Sequence, residues 1–171
     1  MSTRNQFLIL NILGGMAVLG SYAWGIGLFP DLRDDFWGGV PEGLRGFYTL
    51  NMFLAAGGYI AIFSFFMLRE RPENFARLYL PYVLILIPSA LWLPLTVWVL
   101  LEPGIALWWL LRIDLLAVGL GGLMLYPALW RTEAGSRDTK KLLSIALFFF
   151  CLQTAVLDAL VWPYYFELPM H

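Results

Sequence analysis

The segment Trp108–Asp114 places two full charges within a long run of apolar residues. Arg112 and Asp114 follow the pair Trp108-Trp109, and the run Leu115–Trp130 after them carries no charge. Residues two apart are separated by roughly 200° around a helix, so the two charged side chains are expected on nearly opposite faces. A charge within a membrane-spanning helix is costly and marks a functional site by default. We therefore interpret this helix as packed on both sides and central to a site.

Composition predicts an integral membrane protein. Of the 171 residues, 60% are hydrophobic and 13% are charged, whereas about 25% of residues are charged in typical soluble domains. Mean hydropathy is +0.72. The net charge of −1 gives no indication of a nucleic-acid partner. The single cysteine, Cys151, excludes an internal disulfide, and the single histidine, His171, excludes bis-histidine haem ligation and argues against a metal site.

Five apolar segments have the ~20 residues that a helix needs to cross a bilayer. They predict an all-α protein that is one five-transmembrane-helix bundle. The first segment opens like a signal peptide, but its apolar run is longer than a usual signal core, so we interpret it as a retained helix. The predicted spans are about 6–29, 47–68, 78–101, 105–130 and 142–166, with an outer loop at 30–46.

The loops carry an asymmetric distribution of Lys and Arg. One side has only Arg33 and Arg45, and the other has Arg4, Arg69, Arg71, Arg77, Arg131, Arg137, Lys140 and Lys141. Basic residues are concentrated in cytoplasmic loops. The pattern therefore predicts a cytoplasmic N-terminus and an outside C-terminus in a bacterial-type inner (plasma) membrane, and the odd number of spans agrees with that.

Depth along the helices predicts a partner for Arg112. Arg112 lies eight residues after Gly104, and Asp158 lies eight residues before Phe166, so both should be about 12 Å below the outer boundary at 1.5 Å per residue. Consecutive helices joined by a short loop usually pack side by side. We therefore expect an ion pair between Arg112 and Asp158, since pairing relieves the cost of both charges.

Asp114 faces away from that pair and needs a different partner. Residues at a suitable depth are Asn51, Tyr22 and Thr96. Two interpretations of the polar group stay open. It forms the base of an outward-facing pocket, or it is a buried ion pair that fixes helix register.

The tryptophans also favour a site in the outer half. Only Trp130 maps to the inner edge, whereas seven map to the outer half or outer loop: Trp24, Trp37, Trp92, Trp98, Trp108, Trp109 and Trp162. A plain aromatic belt would populate both interfaces. The pattern indicates an aromatic-walled pocket with a few polar groups, although packing of the core is the alternative. The predicted ligand-binding residues are Asn51, Trp92, Trp108, Trp109, Arg112, Asp114, Asp158 and Trp162.

Two segments near this site have open interpretations. Pro88 and Pro94 leave backbone carbonyls unpaired in the third span, which predicts a kink that either opens a cavity beside the fourth span or has no function. The loop 30–46 lacks clear helix periodicity. It is expected to lie over the outer end of the bundle as a lid, or to be an ordinary interfacial loop anchored by Trp37.

In length, five spans and tryptophan content the chain resembles the translocator/tryptophan-rich sensory protein family, which binds tetrapyrroles and sterol-like ligands. The Pro88–Pro94 segment is similar to that family's proline- and tryptophan-containing segments. The resemblance is one of architecture and assigns no residue roles. It implies an apolar small-molecule ligand.

Three functions are compatible with the sequence. The leading hypothesis is a binding protein for a lipid, sterol-like, pigment or tetrapyrrole-like ligand, of unassigned identity. The second is an accessory subunit of a larger membrane complex or a homodimer, with contacts at faces such as Gly57-Gly58. The third is a lipid isomerase using Asp114 or Asp158 as acid or base. No phosphate loop, His-Glu pair or Ser–His arrangement is present.

Overall fold

The computed structural model describes residues 2–166, so His171 lies outside the described residues. Within them the fold is all-helical and has five spans that are long and apolar enough to cross a membrane. The predicted all-α class and the five helices of membrane-spanning length are therefore confirmed. The helices are α1 (Thr3–Leu28), α2 (Glu42–Arg69), α3 (Tyr79–Leu101), α4 (Ile105–Arg131) and α5 (Arg137–Cys151), which continues as a π-helical segment (Leu152–Val161) and a last turn, α6 (Trp162–Tyr165).

Two helices begin earlier than the sequence predicted. Helix α2 begins at Glu42 rather than near residue 47, so the last part of the expected outer loop is helical, and 3₁₀ turns occupy Pro30–Leu32 and Asp35–Trp37. Helix α5 begins at Arg137, where the Ser136 hydroxyl accepts a hydrogen bond from the Thr139 amide at 3.1 Å. Hydropathy locates the apolar part of a helix, whereas caps decide where the helix starts.

Helix α4 lies between α3 on one side and α5 with its π-helical segment on the other. The close approach on both faces depends on glycine. A Cβ on Gly121 would lie 2.7 Å from the Pro81 carbonyl oxygen of α3, and one on Gly119 would lie 2.8 Å from Ala155 Cα. The expectation that α4 is packed on both sides is confirmed. Helix α1 then packs on α3, and α2 packs on α5.

Helices α1 and α2 approach each other at one end of the bundle. The Tyr59 hydroxyl donates to Asn11 Oδ1 at 2.6 Å, and the rings of Phe7 and Phe63 are 6.1 Å apart. We call this the inner end and call the end that carries the 102–104 turn the outer end. In the outer half, α1 packs on α3, and the described residues of α1 and α2 do not pack closely there.

Buried side chains form two clusters stacked along the bundle. The inner cluster is built on large aromatic residues that include Phe7, Phe66 and Tyr82. The outer cluster contains Tyr48, Trp108 and Trp162, with other aromatic side chains packed on it. Helix α3 continues through Pro88 and Pro94 as one helix.

Candidate functional site

The expected ion pair between Arg112 and Asp158 is wrong. Neither residue belongs to any of the ion pairs formed within residues 2–166. The guanidinium carbon of Arg112 instead lies 5.9 Å from the ring centre of Trp108 and 5.5 Å from that of Trp109. A guanidinium at this distance is attracted to the negative face of the ring. The charge of Arg112 is therefore directed toward tryptophan rings rather than toward a carboxylate.

Asp158 is the end of a chain of buried amides. The Asn51 side-chain NH₂ donates to Gln153 Oε1 at 3.0 Å and to the Phe149 carbonyl at 3.2 Å. The Gln153 NH₂ donates in turn to Asp158 Oδ1 at 2.7 Å. Sequence reasoning placed Asn51 and Asp158 in the site but left out Gln153, although a glutamine in an apolar span was a visible signal. It also offered Asn51 as a partner for Asp114, whereas Asn51 binds Gln153.

The π-helical segment is what brings Gln153 and Asp158 together. Residues five apart on an α-helix point about 140° away from each other. In a π-helix the hydrogen bonds join residues five apart, so such residues come to lie over one another. The Trp162 amide, for example, bonds to the Leu157 carbonyl. Single π turns within α-helices are frequent at functional sites. Here the π-helix is ten residues long.

Aromatic side chains of α1, α2 and α3 lie in the same part of the outer half as Asp158. Tyr22 of α1 and Tyr48 of α2 are near enough to Asp158 for its charge to act on their hydroxyls. The Tyr48 hydroxyl donates to the Leu157 carbonyl at 3.2 Å, and the Tyr22 ring is 5.5 Å from the Trp92 ring. Asp158, Tyr22 and Trp92 are all partly exposed. This part of the site is therefore accessible rather than sealed.

Three of the predicted tryptophans meet in one aromatic cluster. Trp162 lies at its centre, with ring-centre distances of 6.4 Å to Trp92, 6.2 Å to Trp108 and 4.7 Å to Phe166. The Trp162 N–H is satisfied by the Phe36 carbonyl at 3.0 Å, which ties the 35–37 turn to the cluster. Trp109 is 56% exposed and contacts the group through Arg112.

Asp114 lies on the face of α4 that packs on α3. Gly121 is level with the Pro81–Ile85 part of α3, and the two helices are antiparallel. Asp114, seven residues farther out, is therefore level with the 88–92 part of α3. The residue is 8% exposed, and its Oδ2 has no hydrogen-bond partner among residues 2–166. Thr96, one expected partner, bonds to the Trp92 carbonyl instead.

Two buried donors in the same outer half lack acceptors. Within the described part of the chain, Trp92 Nε1 and Arg112 Nε are buried with no partner. A buried polar group without a partner costs about 1–3 kcal/mol, and such groups in native proteins call for an explanation such as a bound molecule or water. The outer half therefore combines apolar ring faces with two free donors and one free acceptor.

Residues 2–166 contain no group of three or more His, Cys, Asp or Glu side chains placed to hold a metal ion. No family model, curated protein or solved structure matches the chain. The geometry of the outer half is therefore the basis for assigning a function.

Proposed function

We propose that this protein binds a membrane-soluble small molecule in the outer half of its bundle, between α3, α4 and the π-helical segment. The observation that carries the proposal is a set of three buried outer-half atoms that have no partner among the described residues. Trp92 Nε1 belongs to the Trp92–Trp162–Trp108 cluster, Arg112 Nε belongs to a guanidinium that lies over the Trp108 ring, and Asp114 Oδ2 lies on the α3 face of α4 at the level of Trp92. A ligand with an apolar body and a few polar atoms would satisfy both features.

Several ligand classes suit these surroundings. Stacked indole rings offer large, rigid apolar contact areas to flat or chain-like molecules. A lipid, a sterol-like molecule, a pigment or a tetrapyrrole would each bury apolar surface there. Retention inside a bilayer depends on the polar atoms, because the lipid itself competes for the apolar contacts.

We further propose that the N-terminus is cytoplasmic and that the site lies near the outer face of a bacterial-type inner membrane. The loops at the inner end carry eight Lys and Arg residues and those at the outer end carry two. Such an excess favours the cytoplasmic side. A ligand would then reach the protein from the outer leaflet.

The test is to purify the full chain in mild detergent with native lipids, record its absorption spectrum and identify co-purifying molecules by mass spectrometry. We expect stoichiometric retention of one compound. Trp92→Phe keeps a ring but removes the free N–H, and should weaken retention about 5- to 10-fold, as expected for one hydrogen bond.

Trp98→Phe is the matched control, because Trp98 is 53% exposed and its N–H bonds to Glu102 at the surface. It should retain the compound as the unaltered chain does. Equal loss in both variants, or no retained compound in any preparation, would contradict the binding proposal.

A second function, an accessory subunit of a membrane complex, is favoured by α1. Only 11% of its apolar stretch is buried, against 33% or more in the other spans. A Cβ at Gly15, Gly20 or Gly27 would meet nothing within 4 Å, and small residues let another helix approach closely. A reproducible set of co-purifying proteins, lost in Gly20→Leu, would support this function.

A further inference from the structure

The Asp158 carboxylate lacks a positive partner at a depth where a charge needs one. It belongs to no ion pair within residues 2–166, and Gln153 is the one hydrogen-bond donor to it there. Charges within membrane spans are otherwise found paired or facing a cavity. Arg112, at a similar depth, is directed toward Trp108 and Trp109. The counter-charge to Asp158 is therefore expected from outside the chain.

The amide chain holds Asp158 in the role of an acceptor. Because the Asn51 NH₂ can only donate, it fixes Gln153 Oε1 as the acceptor and turns the Gln153 NH₂ toward Asp158. The second donor bond of Asn51, to the Phe149 carbonyl, keeps that amide from turning over. This one-directional chain stabilises a carboxylate that receives hydrogen bonds, and its other oxygen accepts none from the described residues.

The aromatic groups near the carboxylate are of the kind that recognise ammonium ions. The Tyr48 hydroxyl bonds to the carbonyl of Leu157, the residue before Asp158, and the Tyr22 ring lies 5.5 Å from the Trp92 ring. Aromatic faces attract cations through the ring quadrupole, and cages of this kind bind alkylated ammonium groups. A carboxylate within such a cage adds a charge-assisted hydrogen bond to a protonated amine.

The described parts of α1 and α2 separate toward the outer end. They are joined by Tyr59 and Asn11 at the inner end, and in the outer half α1 packs on α3 instead. Tyr22 and Tyr48 lie eleven residues farther out than Asn11 and Tyr59 on antiparallel helices, so they are at the same level. Tyr48 is buried, whereas Tyr22 and Asp158 are partly exposed. This is the side from which a head group would approach Asp158.

We propose that Asp158 is the counter-ion for an amine head group, so that the ligand is a cationic amphiphile. Its head group lies between α1, α2 and the π-helical segment, and its apolar body packs on the tryptophan cluster between α3, α4 and that segment. Trp92 of this cluster connects the two parts, because its ring lies against that of Tyr22. This inference rests on the proposed function, because it names the head group of the molecule bound in the outer half.

The experiment compares two probes that differ in one group, hexadecylamine and hexadecanol. The full chain is held in micelles of dodecyl maltoside, a neutral detergent without ammonium groups, and binding of each radiolabelled probe is measured against protein-free micelles. We expect stoichiometric, saturable binding of the amine and at least about tenfold weaker binding of the alcohol. Asp158→Asn should remove this preference while keeping a carbonyl that accepts from Gln153, and Asp158→Glu should retain the preference.

Asp31→Asn is the control variant, because Asp31 is an exposed acid of the outer loop, and it should bind both probes as the unaltered chain does. Equal binding of amine and alcohol by the unaltered chain would overturn the counter-ion proposal, and this comparison does not depend on any variant folding. The counter-ion proposal would also be overturned if the Asp158→Asn variant folds and still binds the amine more tightly than the alcohol.

Two further outcomes separate this inference from the proposed function. If neither probe binds while a different compound co-purifies with the chain, the amine proposal fails and the binding proposal stands. If nothing binds or co-purifies, both fail. Adding phosphatidylethanolamine identifies the source of the amine. If this lipid displaces hexadecylamine, the natural ligand is a lipid head group. If it does not displace hexadecylamine, the natural ligand is a single-chain amine.

Discussion

At the scale of single residues, Gln153 determines the surroundings of Asp158. Its amide oxygen accepts from Asn51 and its NH₂ donates to Asp158, so one side chain links α2 to the π-helical segment. Interhelical hydrogen bonds in membranes contribute about 0.6 kcal/mol on average and up to about 1.7 kcal/mol. Asn51 donates two such interhelical bonds, to Gln153 and to the Phe149 carbonyl, so its contribution belongs near the upper part of that range.

Replacing Asn51 by Leu should lower the free energy of unfolding by about 1–2 kcal/mol, because Gln153 Oε1 and the Phe149 carbonyl each lose a donor. The measurement is reversible unfolding in mixed micelles titrated with SDS. Thr49→Val is the control, since Thr49 is exposed and bonds only within its own helix, to the Arg45 carbonyl. Equal stability of the two variants would contradict the importance of the chain.

At the scale of elements, the fifth span changes helical form where the site is built. It is α-helical through Cys151 and π-helical from Leu152 to Val161. The change brings Asp158 to Gln153, which Asn51 of α2 holds in turn, and the pairing with Arg112 that α-helical spacing predicts does not form. On the opposite side of the span, Ala155 packs on Gly119 of α4.

Neighbouring glycines of α2 have different roles, which gives a matched pair of variants. A Cβ on Gly58 would collide with the Ala146 carbonyl oxygen of α5, whereas one on Gly57 would meet nothing within 4 Å. Gly58→Ala should therefore destabilise the bundle by about 1–3 kcal/mol through overpacking, and Gly57→Ala should be neutral. Thermal unfolding of both variants in detergent tests this. A neutral Gly58→Ala would show that α2 and α5 pack less closely than described here.

At the scale of the whole molecule, the two ends of the bundle differ in charge and in aromatic content. Seven tryptophans and two basic loop residues belong to the outer half, and eight basic loop residues belong to the inner end. Both asymmetries follow the bundle axis. The orientation proposed above therefore also sets the membrane face on which the site lies.

Cysteine labelling of intact cells tests this orientation. The variants are made in a Cys151→Ala background, so that the introduced cysteine is the one that reacts. Position 31 is exposed at the outer end of the bundle and position 137 is exposed at the inner end. A membrane-impermeant maleimide should therefore label Asp31→Cys in intact cells and Arg137→Cys only after permeabilisation. The reverse pattern would place the site on the cytoplasmic face.

The sequence by itself determined the all-helical class, the five spans and the outer position of the tryptophans, because the cost of burying backbone and charge in a bilayer leaves few alternatives. It also indicated that α4 is packed on both sides, since Arg112 and Asp114 lie on opposite faces of one helix. The helix starts at Glu42 and Arg137 were missed, because the first turns of both helices contain polar residues and lie outside the apolar pattern.

Only the tertiary structure decided which polar groups meet. The sequence paired Arg112 with Asp158 from equal depth and α-helical spacing, but in the π-helical segment Asp158 accepts a hydrogen bond from Gln153 instead. The hydropathy pattern along the chain indicates how deep a residue lies in a membrane. It does not indicate toward which neighbouring helix the side chain points, because that depends on whether the segment is α-helical or π-helical. The helices that pack on this segment, α2 and α4, are separate elements of the chain, so the pattern within the fifth span does not report those contacts.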